Sequence, residues 1–350
     1  MKKTFSEEII GWYLENKRDL PWRDTNDPYR IWVSEIILQQ TRVAQGYDYY
    51  LRFISKFPTV KALADASEDE VLKCWQGLGY YSRARNMHAA AKQMNGVFPT
   101  TYEGVLALKG VGEYTAAAIC SFAYKMVYPA IDGNVYRVLS RCFGIDEPID
   151  SAAGKRLFKE LSDELIDKNQ PDIYNQGMME FGALHCTPKS PDCLFCPFSS
   201  HCVALSEGTI NLLPVKKSKV KVRNRFFNYF YIITNDTQTV LLHKRVKQDI
   251  WQNLYEFPLI ETTKAKTIEQ LMKEELFKDW FGNLNGVEIT PVIEGVKHVL
   301  SHQIILANFY IVRLNQNSLL SNLFLEIKKS ELEEYPVSRL IHEFIEKYIE

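Results

Sequence analysis

Apolar residues recur three and four positions apart along most of residues 4–205, which is the periodicity of amphipathic helices. The pattern is clearest over residues 31–53, 71–94 and 135–142. Glycine and proline residues separate these stretches and mark turns between the predicted helices. The first part of the chain is therefore predicted to be all-α.

The pattern changes in the last third of the chain. There, β-branched and aromatic residues form short runs at residues 228–234, 239–244 and 304–312, which predict strands. Helical periodicity returns over residues 268–281 and 338–349. This second part is therefore predicted to be an α+β domain.

A length of 350 residues suits two or three domains of about 150 residues each. We expect an all-α domain at residues 1–215, a basic interdomain linker at residues 216–226 and an α+β domain at residues 227–350. The cations of the linker are Lys216, Lys217, Lys219, Lys221, Arg223 and Arg225. Such a run is compatible with a solvated spacer and with a strap that neutralises phosphates.

Composition excludes some classes of protein. With 46% apolar and 24% charged residues, the chain is neither collagen-like nor of low complexity. The net charge of −1 argues against a uniformly basic surface for nucleic acid, but residues 1–225 carry 29 Lys and Arg against 26 Asp and Glu, and residues 226–350 carry 13 against 17. No apolar run approaches the roughly 20 residues that span a bilayer. We therefore expect a soluble, cytoplasmic protein without a membrane partner.

Four of the seven cysteines crowd into one short segment with the spacing C-x6-C-x2-C-x5-C. Four thiolates so close together favour a soft metal site, either tetrahedral zinc or a 4Fe-4S cluster. Only one short C-x2-C pair is present, and the looser outer spacings suit the larger cluster better, although structurally unrelated thiols remain an alternative. These residues are Cys186, Cys193, Cys196 and Cys202. We expect Cys74, Cys120 and Cys142 to be buried as small hydrophobic residues.

Two glycines, Gly110 and Gly112, stand at a predicted turn between helical segments. Glycines leave the backbone amides accessible and a helix N-terminus adds partial positive charge, so the turn is suited to hold a DNA phosphate. An ordinary turn between helices is the alternative interpretation.

Several of these motifs, taken together, resemble those of a known protein family. The hairpin at residues 108–116, the segment Ile131-Asp-Gly-Asn-Val and the four-cysteine loop resemble the helix-hairpin-helix DNA glycosylase superfamily that carries a 4Fe-4S loop. Further motifs narrow the resemblance to the MutY family, which removes adenine opposite 8-oxoguanine: Leu20-Pro-Trp-Arg, Trp32-Val-Ser-Glu-Ile-Ile-Leu-Gln-Gln-Thr and Gly77-Leu-Gly-Tyr-Tyr-Ser-Arg-Ala-Arg. The resemblance implies a 4Fe-4S cluster as cofactor and double-stranded DNA with A:8-oxoguanine or A:G mispairs as partner.

Two carboxylates match the chemistry of this family. Hydrolysis of a glycosidic bond needs an acid that protonates the leaving group and an anion that stabilises the sugar cation. Glu35 lies among apolar residues, where desolvation raises a carboxyl pKa, and the resemblance makes it the acid. Asp132 precedes a predicted helix, and the resemblance implies that it is the carboxylate that stabilises or captures the sugar cation, supported by Asn134 and Tyr114. Without the resemblance, a solvent-facing glutamate and a plain helix cap are the ordinary interpretations.

Tyr114 separates the MutY family from its bifunctional relative endonuclease III. That relative places a Schiff-base lysine at this hairpin position, and an amine there leads to strand cleavage. A phenol cannot form the imine. The resemblance therefore implies a monofunctional glycosylase that leaves an abasic site.

The resemblance also implies which residues hold the DNA. The flipped adenine would contact Arg18, Trp22, Leu38 and Gln176, with Arg23 as a further contact. Gln40 and Tyr80 would stand beside the opposing lesion. For Trp22 and Tyr80, a place in the aromatic core is an equal alternative.

The C-terminal part resembles the MutT-like domain with which the family recognises 8-oxoguanine. Ser301 and His302 match the loop on the lesion side, while Leu300 occupies a position that is usually aromatic. Residues 264–281 lack the Arg-Glu-x-x-Glu-Glu pattern that binds magnesium, so we expect this domain to bind without hydrolysing. A core or turn role for Ser301 stays open.

Three alternatives compete with this interpretation. A thymine-mismatch glycosylase would share Tyr114 and the cysteines but would not need the second domain. A nucleotide pyrophosphatase lacks its metal-binding helix here, and a non-enzymatic iron-sulfur DNA-binding protein has no need of both Glu35 and Asp132. We expect a monomer associated with the nucleoid.

Overall fold

A computed structural model describes residues 2–217, 222–233, 238–282, 287–314 and 319–349. The chain forms two compact units: residues 1–65 with 86–219, and residues 66–85 with 220–350. Within the described ranges, no helix is both long and apolar enough to cross a membrane.

This division differs from the linear one expected from the sequence. Residues 66–85 lie within the predicted all-α domain along the chain, yet they cluster with the C-terminal segment. Their hydrogen bonds explain this, because the Lys244 Nζ donates to Asp69 Oδ1 at 2.8 Å and the Tyr255 hydroxyl donates to Asp69 Oδ2 at 3.0 Å. A local sequence pattern cannot predict these contacts, because the partners are more than 170 positions apart.

The first unit is helical, as predicted. Its helices are α1 (Lys2–Asn16), α2 (Pro28–Leu38), α3 (Val43–Lys56), α4 (Val60–Asp65), most of α6 (Ser82–Gln93), α7 (Tyr102–Leu106), α8 (Glu113–Tyr124), α9 (Gly133–Phe143), α10 (Ala152–Leu165), α11 (Pro171–Leu184) and α12 (Val203–Ser206). Local signals start several of them: Asp27 caps α2, whose first residue is Pro28, and Ser151 caps α10. A core of Ile9, Val138, Phe158 and Phe181, each fully buried, joins α1, α9, α10 and α11.

Two of the predicted helical stretches are each broken into a pair of helices. Residues 31–53 contain the turn between α2 and α3, where Gln40 has a φ of +56°. Residues 71–94 contain the turn between α5 (Glu68–Trp75) and α6, where Tyr80 has a φ of +46°. Apolar periodicity continues across a short turn, so it does not locate such a break.

The second unit is built on a mixed sheet. Its strands are β1 (Arg223–Ile233), β2 (Thr239–Lys244), β3 (Tyr255–Glu256), β4 (Leu259–Thr262), β5 (Glu288–Val299), β6 (Gln303–Arg313) and β7 (Leu325–Lys328). Strand order is β3-β2-β1-β6-β5, with β4 paired to β1 and β7 paired to β2. Strands β1 and β6 run parallel, with Tyr229 opposite Phe309, and the other pairs are antiparallel. The remaining helices are α5, α13 (Ile268–Leu271), α14 (Glu275–Phe281) and α15 (Arg339–Tyr348).

Both faces of β1 are covered. Tyr229 packs in a core with Phe344 of α15, whereas Phe230 packs in a second core with Phe277 and Phe281 of α14. A strand buried on both faces reads as a continuous apolar run, which is why residues 228–234 were recognisable. The α+β prediction is confirmed, and residues 234–237, between β1 and β2, lie outside the described residues.

Strand β1 begins at Arg223, so Arg223 and Arg225 of the predicted basic linker lie in the sheet of the second unit. The Arg225 side chain is buried and pairs with Asp249 and Glu261 at 2.7 Å each. Its guanidinium therefore pairs with acidic side chains of the second unit. Lys219 and Lys221 lie outside the described residues.

Candidate active site

A cleft of about 700 Å³ opens in the helical unit. Its walls are formed by α2, α8, α11 and the N-terminus of α9, together with the loops that follow α1 and α2. Among its lining residues are ten of the predicted ones: Arg18, Trp22, Arg23, Glu35, Leu38, Gln40, Tyr114, Asp132, Asn134 and Gln176. A cleft of this size is ordinary for a small-molecule or base-sized ligand.

Glu35 is buried on α2 and meets Tyr114 from α8. The Tyr114 hydroxyl donates to Glu35 Oε2 at 2.7 Å. Burial raises the pKa of Glu35 to about 7, the hydrogen bond from Tyr114 lowers it in part, and the charge of Asp132 raises it. A carboxyl with this pKa is protonated often enough near neutrality to serve as a general acid. The solvent-facing alternative for Glu35 is wrong, since its exposure is 6%.

Asp132 caps α9. Its Oδ1 accepts hydrogen bonds from the amides of Asn134 and Val135 at 2.8 Å, and its Oδ2 accepts one from Asn134 Nδ2 at 2.8 Å. Burial raises the Asp132 pKa, and these hydrogen bonds oppose that rise. The helix cap and the cleft-lining carboxylate are thus the same group.

Asn134 is itself fixed. Its Oδ1 accepts from Arg137 Nη2 at 2.8 Å, and the same guanidinium donates to the carbonyls of Gly182 and Cys186 at 2.6 and 2.8 Å. A side chain with so many partners has few alternative rotamers, so the Asn134 amide that binds Asp132 is preorganised.

Glu180 is a cleft residue that the sequence interpretation missed. It is 1% exposed and accepts paired hydrogen bonds from Arg18 and from Arg23 at 2.6 to 3.0 Å. Burial raises the Glu180 pKa, but the two guanidinium groups outweigh it and hold the pKa at about 2. The available signal was a single acid within the apolar run of α11. Glu180 therefore fixes the two arginines that were predicted to hold the base.

The other predicted base contacts are also ordered. The Tyr13 hydroxyl donates to Gln176 Oε1 at 2.8 Å. Trp22 is buried, lines the cleft and packs its ring 5.1 Å from that of Tyr50, so it belongs to the aromatic core and to the cleft wall. Gln40 lines the cleft from its left-handed turn.

The two hairpin glycines have different surroundings. Gly110 has a φ of +81°, and a Cβ there would lie 2.7 Å from the Cβ of Asn86. Gly112 is the N-cap of α8, has a φ of −103° and has open space where a Cβ would be. Gly110 is thus required by the fold, whereas Gly112 leaves the first amides of α8 open to a ligand.

Two predicted lesion contacts meet in the second unit. The Tyr80 and Ser301 hydroxyl groups form a hydrogen bond. Ser301 and His302 are exposed at the turn between β5 and β6, and Tyr80 is 46% exposed. The core alternative is therefore wrong for both residues, whereas the turn alternative for Ser301 agrees with its position.

The four cysteines surround a small cavity after α11, together with Cys142. Buried Arg141 holds this loop by donating to Thr187 O at 2.7 Å and to Cys186 Sγ at 3.5 Å. A hydrogen bond from the Cys142 thiol is the largest cause that lowers the Cys202 pKa, to about 6. Cys74 and Cys120 are buried as expected, but Cys142 is only partly buried and contacts Cys202.

The donor set of this cavity, four cysteine thiols, is the set that holds a 4Fe-4S cluster and also one that can hold a tetrahedral zinc ion. Among the described residues, no three His, Cys, Asp or Glu side chains converge so as to hold one metal ion.

Family models match both units. The model described as HhH-GPD superfamily base excision DNA repair protein matches residues 33–164, and a NUDIX domain model matches residues 228–347. A solved thermostable thymine-DNA glycosylase aligns with a TM-score of 0.55 at 28% identity over 59% of this chain and 97% of its own. An endonuclease III bound to DNA aligns with a TM-score of 0.51 at 21% identity over 59% and 98%. These matches confirm the fold class and define a helix-hairpin-helix DNA repair glycosylase joined to a NUDIX-like domain.

Curated relatives give the family. An adenine DNA glycosylase of Buchnera aphidicola from Schizaphis graminum is 33% identical over 333 residues, which is 93% of this chain and 94% of the relative. The adenine DNA glycosylase of Rattus norvegicus is 43% identical over 228 residues, or 60% and 44%. The chain belongs to the adenine DNA glycosylase family, the MutY family, and is a hydrolase of N-glycosyl bonds in base excision repair.

Proposed function

We propose that this enzyme removes adenine mispaired with 8-oxoguanine or guanine in double-stranded DNA and leaves an abasic site. The observation that carries the proposal is the buried Glu35 carboxyl, with a pKa of about 7, in one cleft with Asp132. Two carboxyl groups in different electrostatic environments can divide the roles of acid and anion.

Glu35 acts as the acid. Its proton passes to the adenine ring as the bond between C1′ and the base nitrogen breaks, and the bonding electron pair leaves with the base. Tyr114 holds the carboxyl through its 2.7 Å hydrogen bond, so the donor is oriented before the substrate arrives.

Asp132 stabilises the positive charge that develops on the sugar. Its oxygens are oriented by the amides of Asn134 and Val135 and by the Asn134 side chain. A water molecule then adds to C1′, and its proton passes to the Glu35 carboxylate, which has given its own proton to the base. Because these hydrogen bonds exist before reaction, the anion needs little reorganisation in the transition state.

Recognition of the partner base uses the second unit. Tyr80, Ser301 and His302 are the residues that meet the lesion, and the hydrogen bond between Tyr80 and Ser301 supports a common surface for it. Arg18, Arg23, Trp22, Leu38 and Gln176 take the flipped adenine, and Gln40 stands beside the opposing base.

We propose that Cys186, Cys193, Cys196 and Cys202 hold a 4Fe-4S cluster. When bound, it would supply a rigid, redox-capable cross-link of the loop. Arg141 and Phe198 hold the loop from the protein side, since Phe198 is buried against the rings of Phe5 and Phe181.

Hydrolysis without strand cleavage follows from Tyr114. The position offers a phenol, which forms no Schiff base with the opened sugar. Incubation of the protein with an 8-oxoguanine:A duplex and borohydride should therefore give abasic product but no covalent adduct. A trapped adduct would contradict the monofunctional assignment.

A panel of mispairs tests the substrate. Duplexes with A opposite 8-oxoguanine, guanine or thymine, and with thymine opposite guanine, are compared in single-turnover assays. We expect adenine release that is fastest opposite 8-oxoguanine, slower opposite guanine and absent in the A:T pair. Release of thymine from T:G, as the name of the thymine-DNA glycosylase neighbour suggests for that protein, would overturn the proposal.

A further inference from the structure

The loop from Gly77 to Tyr80 has an unusual backbone. Gly77 has a φ of +96°, Gly79 a φ of +74° and Tyr80 a φ of +46°. The left-handed region is unfavourable for an aromatic residue, so the surroundings of Tyr80 must hold it there. Part of that support is the hydrogen bond to Ser301, and Arg83 lies over the Tyr80 ring at 5.5 Å.

The next residue, Tyr81, supports the loop from inside. It is 4% exposed, and its hydroxyl accepts a hydrogen bond from the Gly77 amide at 3.3 Å. The same hydroxyl donates to the Val337 carbonyl at 3.2 Å. One oxygen atom therefore joins the first residue of the loop to the C-terminal segment.

Val337 is a fixed anchor. Its amide donates to Gln76 Oε1 at 3.2 Å, so Val337 holds the chain on both sides of the loop. The segment before it is tied to the sheet, because the Tyr255 amide donates to the Pro336 carbonyl at 2.8 Å and Tyr255 forms a parallel bridge with Val337.

We propose that Tyr81 is a positioning residue for lesion discrimination: its hydroxyl locks the loop from Gly77 to Tyr80 onto Val337 and so fixes Tyr80 against the 8-oxoguanine. The inference rests on the proposed role of Tyr80 at the lesion. Tyr81 does not touch the DNA in this scheme and acts through Tyr80 alone.

The test is the preference for 8-oxoguanine:A over G:A, measured as the ratio of kcat/KM values. Tyr81→Phe keeps the ring and removes only the hydroxyl, and it should reduce the preference roughly 3- to 10-fold, the range expected for a lost buried hydrogen bond. Gln76→Met removes the second contact with Val337 and should act in the same direction. Tyr29→Phe is the matched control, because the buried Tyr29 hydroxyl donates to the Phe57 carbonyl in the other unit.

A double-mutant cycle separates positioning from general structure. In a Tyr80→Ala background, Tyr81→Phe should change the preference less than about 2-fold, since its effect passes through Tyr80. An unchanged preference in Tyr81→Phe and Gln76→Met, or a full effect of Tyr81→Phe without Tyr80, would overturn the inference. A wild-type enzyme that does not prefer 8-oxoguanine:A would instead overturn the proposed substrate itself, and the inference with it.

Discussion

The hydroxyl of Tyr114 donates a 2.7 Å hydrogen bond to Glu35 Oε2 from a residue 79 positions away. This contact stabilises the ionised carboxylate and therefore opposes the burial that raises the Glu35 pKa to about 7. Tyr114 thus does two things: it orients the acid, and it keeps the acid's pKa near neutrality.

Tyr114→Phe should move the pH dependence of the reaction. Without the hydrogen bond, the Glu35 pKa rises further, and an acid that must be protonated then stays active to higher pH. We expect the alkaline limb of the pH profile of kcat/KM to move to higher pH by about one pH unit or less, even if the maximal rate falls. Tyr124→Phe, which loses a hydrogen bond to Pro99 O away from the cleft, is the control. A limb that stays in place or moves to lower pH would contradict the role given to Tyr114.

Glu35→Gln should make the protein more stable at alkaline pH relative to wild type. The folded-state pKa of about 7 lies above the ordinary value of 4.5, so the folded state binds the extra proton, and wild-type stability falls as the pH rises through this window. Glutamine does not titrate. The stability difference between variant and wild type should therefore change by about 3 kcal/mol in favour of the variant between pH 4.5 and pH 8. Urea unfolding at both pH values measures this difference in the free energy of unfolding, and substitution of the exposed Glu160 by Gln is the control. If the stability of Glu35→Gln and that of wild type changed in parallel with pH, the raised Glu35 pKa would be refuted.

Glu180→Ala should destabilise the helical unit. The substitution leaves Arg18 and Arg23 without their shared partner beside a buried site, and removing one member of a buried ion pair costs about 3 kcal/mol. Asp163→Ala breaks an exposed pair with Lys159 and should cost about 0.5 kcal/mol or less. Thermal unfolding compares the two. Equal losses would show that burial adds nothing to the Glu180 pair.

The two hairpin glycines should separate stability from DNA binding. Gly110→Ala places a side chain at a left-handed φ and against Asn86, which costs about 1–2 kcal/mol of stability. Gly112→Ala meets open space, so the melting temperature should hold while affinity for duplex DNA falls several-fold, because the methyl group stands where a phosphate approaches the α8 amides. Fluorescence anisotropy measures the affinity. Gly112→Ala with unchanged binding would leave the hairpin as an ordinary turn.

Much of the fold was predictable from local patterns, and the exceptions have physical causes. Strands β1, β2 and β6 were recognised because they are rich in buried apolar residues. Strand β5 was missed because none of its residues is buried and it contains Pro291 and Gly295, which normally indicate turns. The placement of residues 66–85 depends on long-range hydrogen bonds that no periodicity reports.

The candidate site likewise contains residues that the sequence identifies and residues that it does not. Glu35, Asp132 and Tyr114 were identified by resemblance, and their convergence on one cleft is a result of the fold. Glu180 and Tyr81 were overlooked because each acts by holding another residue, and only a distance reveals such a role. The left-handed backbone at Gln40 and Tyr80 likewise cannot be predicted from the pattern of residues.

The role of Glu35 as the acid is tested directly by the single-turnover release of adenine from an 8-oxoguanine:A duplex by wild type and by Glu35→Gln at pH 7. Glutamine keeps the shape of the side chain but has no acidic proton to give. We predict rapid release by the wild type and a rate at least about 100-fold lower in the variant, with duplex binding retained. Release at the wild-type rate by Glu35→Gln would contradict the assignment of Glu35 as the acid.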